Sequence, residues 1–298
     1  MSLVSPEPTV SYARLDRTTL SLIELALAED IGPFDLTSRL TVPQNAQGQA
    51  KVVARTELVV SGLEVLREVF RQVDPAVKIR FLAQDGETIA PKKAVVEIAG
   101  PAQSLLTGER VALNFLSHLS GIATLTRRFI LAMGEGPDRP RLLATRKTTP
   151  GLRALEKAAV VHGGGFSHRF GLFDGIMLKD NHIAAVGSLT EAVVKAKSGA
   201  PHGLKVEVEV DSAAQIEPAL KAGADILLLD NFTPAELTAA VSLVAEYFAP
   251  QKRAVLLEAS GGINLKNLKA IAETGVDFVS VGAITHSAPA ADLGLDWS

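Results

Sequence analysis

Cations, carboxylates and glycines gather at a few places in the second half of this chain. Arg146, Lys147, Arg169 and Lys179 carry positive charge, and His168 stands beside Arg169. Glu209 and Asp230 are carboxylates, while Ser260, Gly261, Gly262 and Gly282 can present backbone N–H groups. Arginine can grip a carboxylate with two parallel hydrogen bonds, and lysine acts as a point charge. A glycine-rich loop that opens a helix is a natural phosphate cradle. Mg²⁺ usually takes one or two carboxylates together with substrate phosphates. The set suits a small polyanion, a phosphorylated co-substrate and Mg²⁺.

Each residue also has a plainer reading. Arg146-Lys147 could be a solvated strand end, Asp230 a helix cap, and Gly163–Gly165 a flexible loop. Glu207 and Glu209 alternate with valines, so both face one side of a strand. That side is solvent on an open sheet and an acidic interior in a barrel. His118, His162 and His202 read as structural or surface residues, and Asp174 and Asp180 as caps or ion-pair partners. Neither a Ser-His-Asp spacing nor HExxH is present to support hydrolysis by those routes.

The elements that must position these residues follow from periodicity. After about Arg141, apolar runs recur at Leu142–Thr145, Gly175–Leu178, Val206–Val210, Ile226–Leu229, Ala254–Leu257 and Phe278–Val281. Helical patterns lie between them, at 183–198, 212–222, 234–248 and 264–274. Continuous apolar strands alternating with helices predict a parallel sheet covered by helices, here an incomplete (β/α) barrel. A doubly wound open sheet is the alternative, unsupported by any GxGxxG after a strand. Every strand turns polar at the same end, where a barrel collects its chemistry.

The first part is less regular. It predicts helices at Leu20–Ala28, Leu63–Val73 and Gln103–Phe115, the last interrupted at Gly121 before Ile122–Met133. Strands are expected at Lys51–Val60, Val77–Leu82 and Ala94–Ile98, with a turn at Asp85-Gly86.

Composition sets the outer bounds. The chain has 298 residues, 47% hydrophobic and 21% charged, with formal charge −3 and no cysteine. It is a globular protein with no overall basic field, which argues against nucleic-acid partners. Thiolate chemistry and disulfides are excluded, which fits a reducing, cytoplasmic setting. The N-terminal MSLVSPEPTVSYARLD reads as a loose arm. No run approaches the roughly 18 apolar residues of a membrane span.

Long motifs then carry a resemblance. TRKTTPGLRALEKAAVVHGGGFSHRFGLFDGIMLKDNHI (Thr145–Ile183) resembles the quinolinate phosphoribosyltransferases. So do EDIGPFDLTS (Glu29–Ser38), LTGERVALNFLSHLSGIAT (Leu106–Thr124), EVEVDS (Glu207–Ser212), LLLDNF (Leu227–Phe232), EASGGI (Glu258–Ile263) and SVGAITHS (Ser280–Ser287), in the family's order. The chain departs from the usual pattern at Ser167 and Phe34, neither of them a charged ligand.

The resemblance implies an N-terminal open α/β sandwich domain (1–120), then an incomplete, TIM-like α/β barrel (121–286), with a tail (287–298) that packs back on the first domain. It implies a homodimer acting on quinolinate and phosphoribosyl pyrophosphate, yielding nicotinate mononucleotide, pyrophosphate and CO₂ for NAD biosynthesis. Arg146, His168, Arg169 and Lys179 would grip quinolinate, with Arg110 lent by the other subunit. Lys147 would sit between the substrates. Glu209 and Asp230 would hold the ribose hydroxyls and Mg²⁺. Ser260, Gly261, Gly262 and Gly282 would cradle the 5′-phosphate, with His286 nearby. Rival readings are a molybdenum-transport-associated relative, an aldolase-type barrel with Lys147 or Lys179 as Schiff base, and a non-catalytic anion binder.

Overall fold

The computed structural model describes residues 15–136, 139–248 and 255–297. Ala254 and most of the expected N-terminal arm lie outside them. The first elements are α1 (Arg17–Ile31), α2 (Leu36–Thr41), β1 (Gln47–Ala54), β2 (Leu58–Val59), α3 (Leu63–Val73), β3 (Lys78–Phe81), β4 (Thr88–Ile89), β5 (Ala94–Pro101) and α4 (Ala102–Ala132). Next come β6 (Arg141–Ala144), α5 (Arg153–His162), β7 (Phe166–Ser167), β8 (Ile176–Leu178), α6 (Asp180–Val186), α7 (Leu189–Gly199) and β9 (Val206–Val210). The chain continues through α8 (Ala213–Ala222), β10 (Ile226–Asp230), α9 (Pro234–Phe248), β11 (Leu256–Ser260), α10 (Leu268–Ala272), β12 (Phe278–Ser280), α11 (Ala283–His286) and β13 (Leu293–Trp297).

These form two compact units. The first comprises residues 1–127, 148–164 and 284–298; the second comprises 128–147 and 165–283.

In the first unit, β13, β1, β5 and β3 make an antiparallel sheet in that order, and β2 pairs with β4. The tail joins this sheet through β13, with Ala50 opposite Trp297 and Ala54 opposite Leu293. Apolar residues at helical spacing bury one stripe of α3: Leu63, Leu66, Val69 and Phe70. Asp85 Oδ1 accepts the N–H groups of Gly62 (2.9 Å) and Leu63 (3.2 Å), so the predicted turn caps this helix. Beside it, Ser61 Oγ and His162 Nδ1 lie 2.8 Å apart, which gives His162 a structural place.

Two predictions fail here for tertiary reasons. The expected strand Lys51–Val60 is two elements, because Val53 pairs out of register with Ala94 and the chain turns after Ala54 to start β2. The expected break at Gly121 is absent, and α4 runs on for 31 residues. A Cβ at Gly121 would overlap the carbonyl oxygen of Pro289, so glycine serves close approach there and does not end the helix.

The second unit is a curled, all-parallel sheet of seven strands in the order β7-β6-β12-β11-β10-β9-β8. Consecutive strands β7 and β8 occupy opposite edges, so the barrel is half closed, as the sequence predicts. Its strands are apolar because helices cover the sheet: Val208, Leu227, Leu229 and Val279 have no solvent exposure. The seventh strand, β7, is two residues long and escapes a search for apolar runs. The fifth apolar run is placed too early in sequence, since β11 extends through Glu258 to Ser260.

Candidate active site

Parallel pairing brings the polar strand ends of the second unit into line. Leu178 pairs with Val208, Leu228 with both Glu209 and Glu258, and Asp230 with Ser260. Lys179, Glu209, Asp230 and Ser260 therefore lie at the C-terminal ends of four neighbouring strands. Arg146 and Lys147 follow β6, and His168 and Arg169 follow β7.

Glu209, half-buried, is ion-paired with Lys179 Nζ. Asp230 is freed from capping duty, because α9 begins with its own box: Thr233 N–H donates to Glu236 Oε2 (2.8 Å), and Glu236 N–H donates back to Thr233 Oγ1 (3.4 Å). Asn231 holds Asp230 instead, donating Nδ2–H to Oδ2 at 2.7 Å. Asn231 has φ +61°, a left-handed backbone that costs a non-glycine residue energy and is found at ligand sites. Its N–H donates to Ser260 C=O at 2.9 Å, and a Cβ on Gly261 would collide with its side chain. The Asp230-Asn231 and Ser260-Gly261-Gly262 loops thus form one packed unit of backbone.

Arg169 is held by its surroundings as a directed cation. Its guanidinium donates to Gly175 C=O at 3.1 Å and to Met177 Sδ at 3.7 Å, both neutral acceptors. Burial lowers its pKa, and the like charge of Arg146 lowers it further, against Glu207 and Asp174. Two half-buried guanidiniums close enough to repel favour an arriving anion. Asp174 takes the N–H groups of Phe170 (2.6 Å) and Gly171 (2.7 Å), which shapes the loop beyond Arg169. Arg146 is half-buried and Lys147 exposed.

The segment after Lys147 is pinned within the first unit. Glu156, fully buried, accepts Thr149 N–H at 3.2 Å and meets His118 Nε2 at 2.8 Å. Arg110 on α4 and His286 on α11 belong to that unit too, and both are exposed.

Sequence reasoning missed one residue. Glu258, just past the apolar run Ala254–Leu257, lies inside β11 with 2% exposure, facing Glu207 and His168. Its place directly after the apolar run, with Ala259 beyond it, is the sequence signal that it continues the strand.

Glu209 and Asp230 offer oxygen donors at adjacent strand ends, a hard ligand set that fits Mg²⁺ shared with phosphate oxygens. No helix among the described residues is long and apolar enough to cross a membrane.

Comparison with known proteins bears on the family and the fold. A chain from Bacillus subtilis named probable nicotinate-nucleotide pyrophosphorylase [carboxylating] is 42% identical over 269 residues, 90% of this chain and 89% of its own. A Nicotiana tabacum protein named quinolinate phosphoribosyltransferase [decarboxylating] is 35% identical, over 92% of this chain and 81% of its own. The structure of the nicotinate-nucleotide pyrophosphorylase from Francisella tularensis superposes with a TM-score of 0.88 at 38% identity, covering 96% of this chain and 98% of that one. The family profiles for the N-terminal and C-terminal domains of quinolinate phosphoribosyl transferase match residues 35–120 and 122–296, so the chain belongs to that family.

Proposed function

We propose that this protein transfers the phosphoribosyl group of phosphoribosyl pyrophosphate to quinolinate, releasing pyrophosphate and CO₂ and forming nicotinate mononucleotide. The observation that carries the reading is the sign pattern at one end of the parallel sheet. Arg146 and Arg169 crowd positive charge there, Glu209 and Asp230 stand on neighbouring strands, and a glycine-rich loop follows Ser260. Quinolinate has two adjacent carboxylates and needs several cations. Phosphoribosyl pyrophosphate needs a phosphate cradle and carboxylates for its hydroxyls.

In this reading Arg146, Arg169 and Lys179 orient quinolinate, with its ring nitrogen towards carbon 1 of the ribose and the His168 ring beside Arg169. Gly261, Gly262 and Gly282 present N–H groups to the 5′-phosphate. Glu209 and Asp230 hold the ribose hydroxyls and stabilise positive charge that develops at carbon 1 as the pyrophosphate departs. Lys147 stands by the leaving pyrophosphate. Mg²⁺, held by Glu209 and Asp230, would supply neutralisation of the pyrophosphate's charge. When the ring nitrogen has bonded to carbon 1 it is cationic, and the electrons of the adjacent C–CO₂⁻ bond pass onto the ring as CO₂ leaves. A proton then takes the vacated carbon. Positioning and preorganised charge suffice for this chemistry, and no covalent enzyme intermediate is needed. Lys179 Nζ is engaged by Glu209, so it does not stand free as a Schiff-base nucleophile would.

A homodimer, with Arg110 serving the site of a second copy and His286 serving the 5′-phosphate, completes the proposal. The absence of cysteine fits a cytoplasmic setting. The test is CO₂ release from carboxyl-labelled quinolinate with phosphoribosyl pyrophosphate and Mg²⁺, each omitted in turn. Release that needs all three, with nicotinate mononucleotide formed in equal amount, is expected. No release from folded protein would overturn the reading.

A further inference from the structure

The half-barrel interior holds two acids to which the reaction above gives no part. Glu207 on β9 and Glu258 on β11 are 4% and 2% exposed, and Oε1 of each is buried without a hydrogen-bond partner. Carboxylates in such a place are costly unless they hold something. His168 brings Nε2 to 3.0 Å from Glu207 Oε2 and 3.6 Å from Glu258 Oε2. Its other ring nitrogen, Nδ1, accepts the backbone N–H of Arg169 at 2.7 Å. A nitrogen that accepts carries no proton, so the ring proton sits on Nε2 and points at the acids.

We propose that Glu207 and Glu258 are positioning residues for quinolinate recognition. They clamp the His168 ring through Nε2, and the clamped ring fixes the Arg169 backbone N–H and hence the direction in which that guanidinium leaves the chain. The inference rests on the reading of Arg169 as a quinolinate ligand. Three features support it. The acids come from two strands separated by β10, so a rigid sheet sets their spacing. Burial, and then the charge of Glu207, push the Glu258 carboxyl up to about 7, so one acid of the pair can remain neutral beside the other. Finally, a carboxylate behind an imidazole is a general means of fixing its tautomer and orientation.

The experiment combines side-chain ¹⁵N–¹H spectra of the free full-length protein with steady-state kinetics. The spectra should show His168, assigned by its loss in His168→Ala, protonated on Nε2 alone. Glu258→Leu and Glu207→Gln should each raise KM for quinolinate about tenfold while leaving KM for phosphoribosyl pyrophosphate unchanged. Glu258→Gln, which keeps a neutral hydrogen-bonding group, should recover most of the loss. A proton on Nδ1 in the free protein overturns the clamp. So does a parallel rise in both KM values, or a change in neither. The three ligand atoms lie within 4.8 Å of one another, so a divalent ion bound there in stoichiometric amount and lost in Glu258→Gln also overturns it. Failure of wild-type protein to turn over quinolinate would sink the functional reading instead, and the spectra test the clamp without substrate.

Discussion

Lys179 and Glu209 form an ion pair between the ends of neighbouring strands β8 and β9. In the absence of substrate the pair neutralises itself, so the cation and the carboxylate that the proposed function assigns to quinolinate and the ribose are each held by the other. Ordered substrates must draw them apart. Glu209→Gln is expected to lower kcat by about 10²–10³-fold, the range for a lost charge-stabilising group. Lys179→Met is expected to raise KM for quinolinate. The double variant should lose less than the sum of the two, because the groups are in contact. A double-mutant cycle in kcat/KM checks this, and additive losses would refute the coupling.

Arg169 should not be replaceable by lysine. Its guanidinium is directed by Gly175 and Met177, and a lysine cannot reproduce the planar fork. Arg169→Lys is expected to lower kcat/KM for quinolinate by about tenfold to a hundredfold, roughly the strength of one charge-assisted hydrogen bond. Affinity for phosphoribosyl pyrophosphate, read by calorimetry, should stay the same.

The proposed sharing of Arg110 between two copies makes a mixing prediction. Arg110→Ala and Lys147→Ala should each be nearly inactive alone. Co-refolded in equal amounts, half of the dimers are mixed and each mixed dimer regains one complete site, so activity should return to about a quarter of wild type. No return would remove Arg110 from the partner's site.

Glu258 predicts how stability varies with pH. Its carboxyl ionises near the ordinary 4.5 in the unfolded chain but at about 7 when folded, owing to burial and then to Glu207. Below pH 4.5 both states hold the proton. As pH rises from 4.5 to about 7, the unfolded chain gives up its proton while the folded chain keeps it, so stability falls, and above that window the loss is complete. The Glu258→Gln variant lacks this loss. Its stability relative to wild type should rise across the window by on the order of 3 kcal/mol, measured by urea unfolding at several pH values. A constant difference would refute the assignment.

Gly121 tests packing against propensity. Alanine within an exposed helix normally gains about 1 kcal/mol over glycine. Here the added methyl would meet the Pro289 carbonyl, so Gly121→Ala should destabilise by about 1–3 kcal/mol, seen in a melting curve. An unchanged or raised melting temperature would refute the close approach.

The parallel half-barrel was legible because strands buried on both faces read as unbroken apolar runs, as at Val206–Val210 and Ile226–Leu229. The grouping of Arg146, Lys179, Glu209 and Asp230 follows from reading those strands as parallel, since parallel strands end together. Gly121 was misread because its cause lies 168 residues away at Pro289, which no local pattern reveals. β7 was missed because two residues are too few for periodicity to register. Glu258 follows directly on an apolar run, and only its burial and the His168 ring it shares with Glu207 show that it lies inside the barrel.

The strand β13 has a consequence for how the molecule is made. It supplies an edge of the antiparallel sheet whose next strand, β1, left the ribosome nearly the whole chain earlier. Chains emerge N-terminus first, and domains commonly fold in that order. Here the order is reversed at the finish. All the residues of the parallel half-barrel precede β13, so that sheet can close during synthesis, while the first-made sheet waits with β1 exposed along one side. Pairings this distant in sequence are slow to form. The growing chain therefore carries an open β edge until β13 emerges, and that interval is when it most needs protection from aggregation.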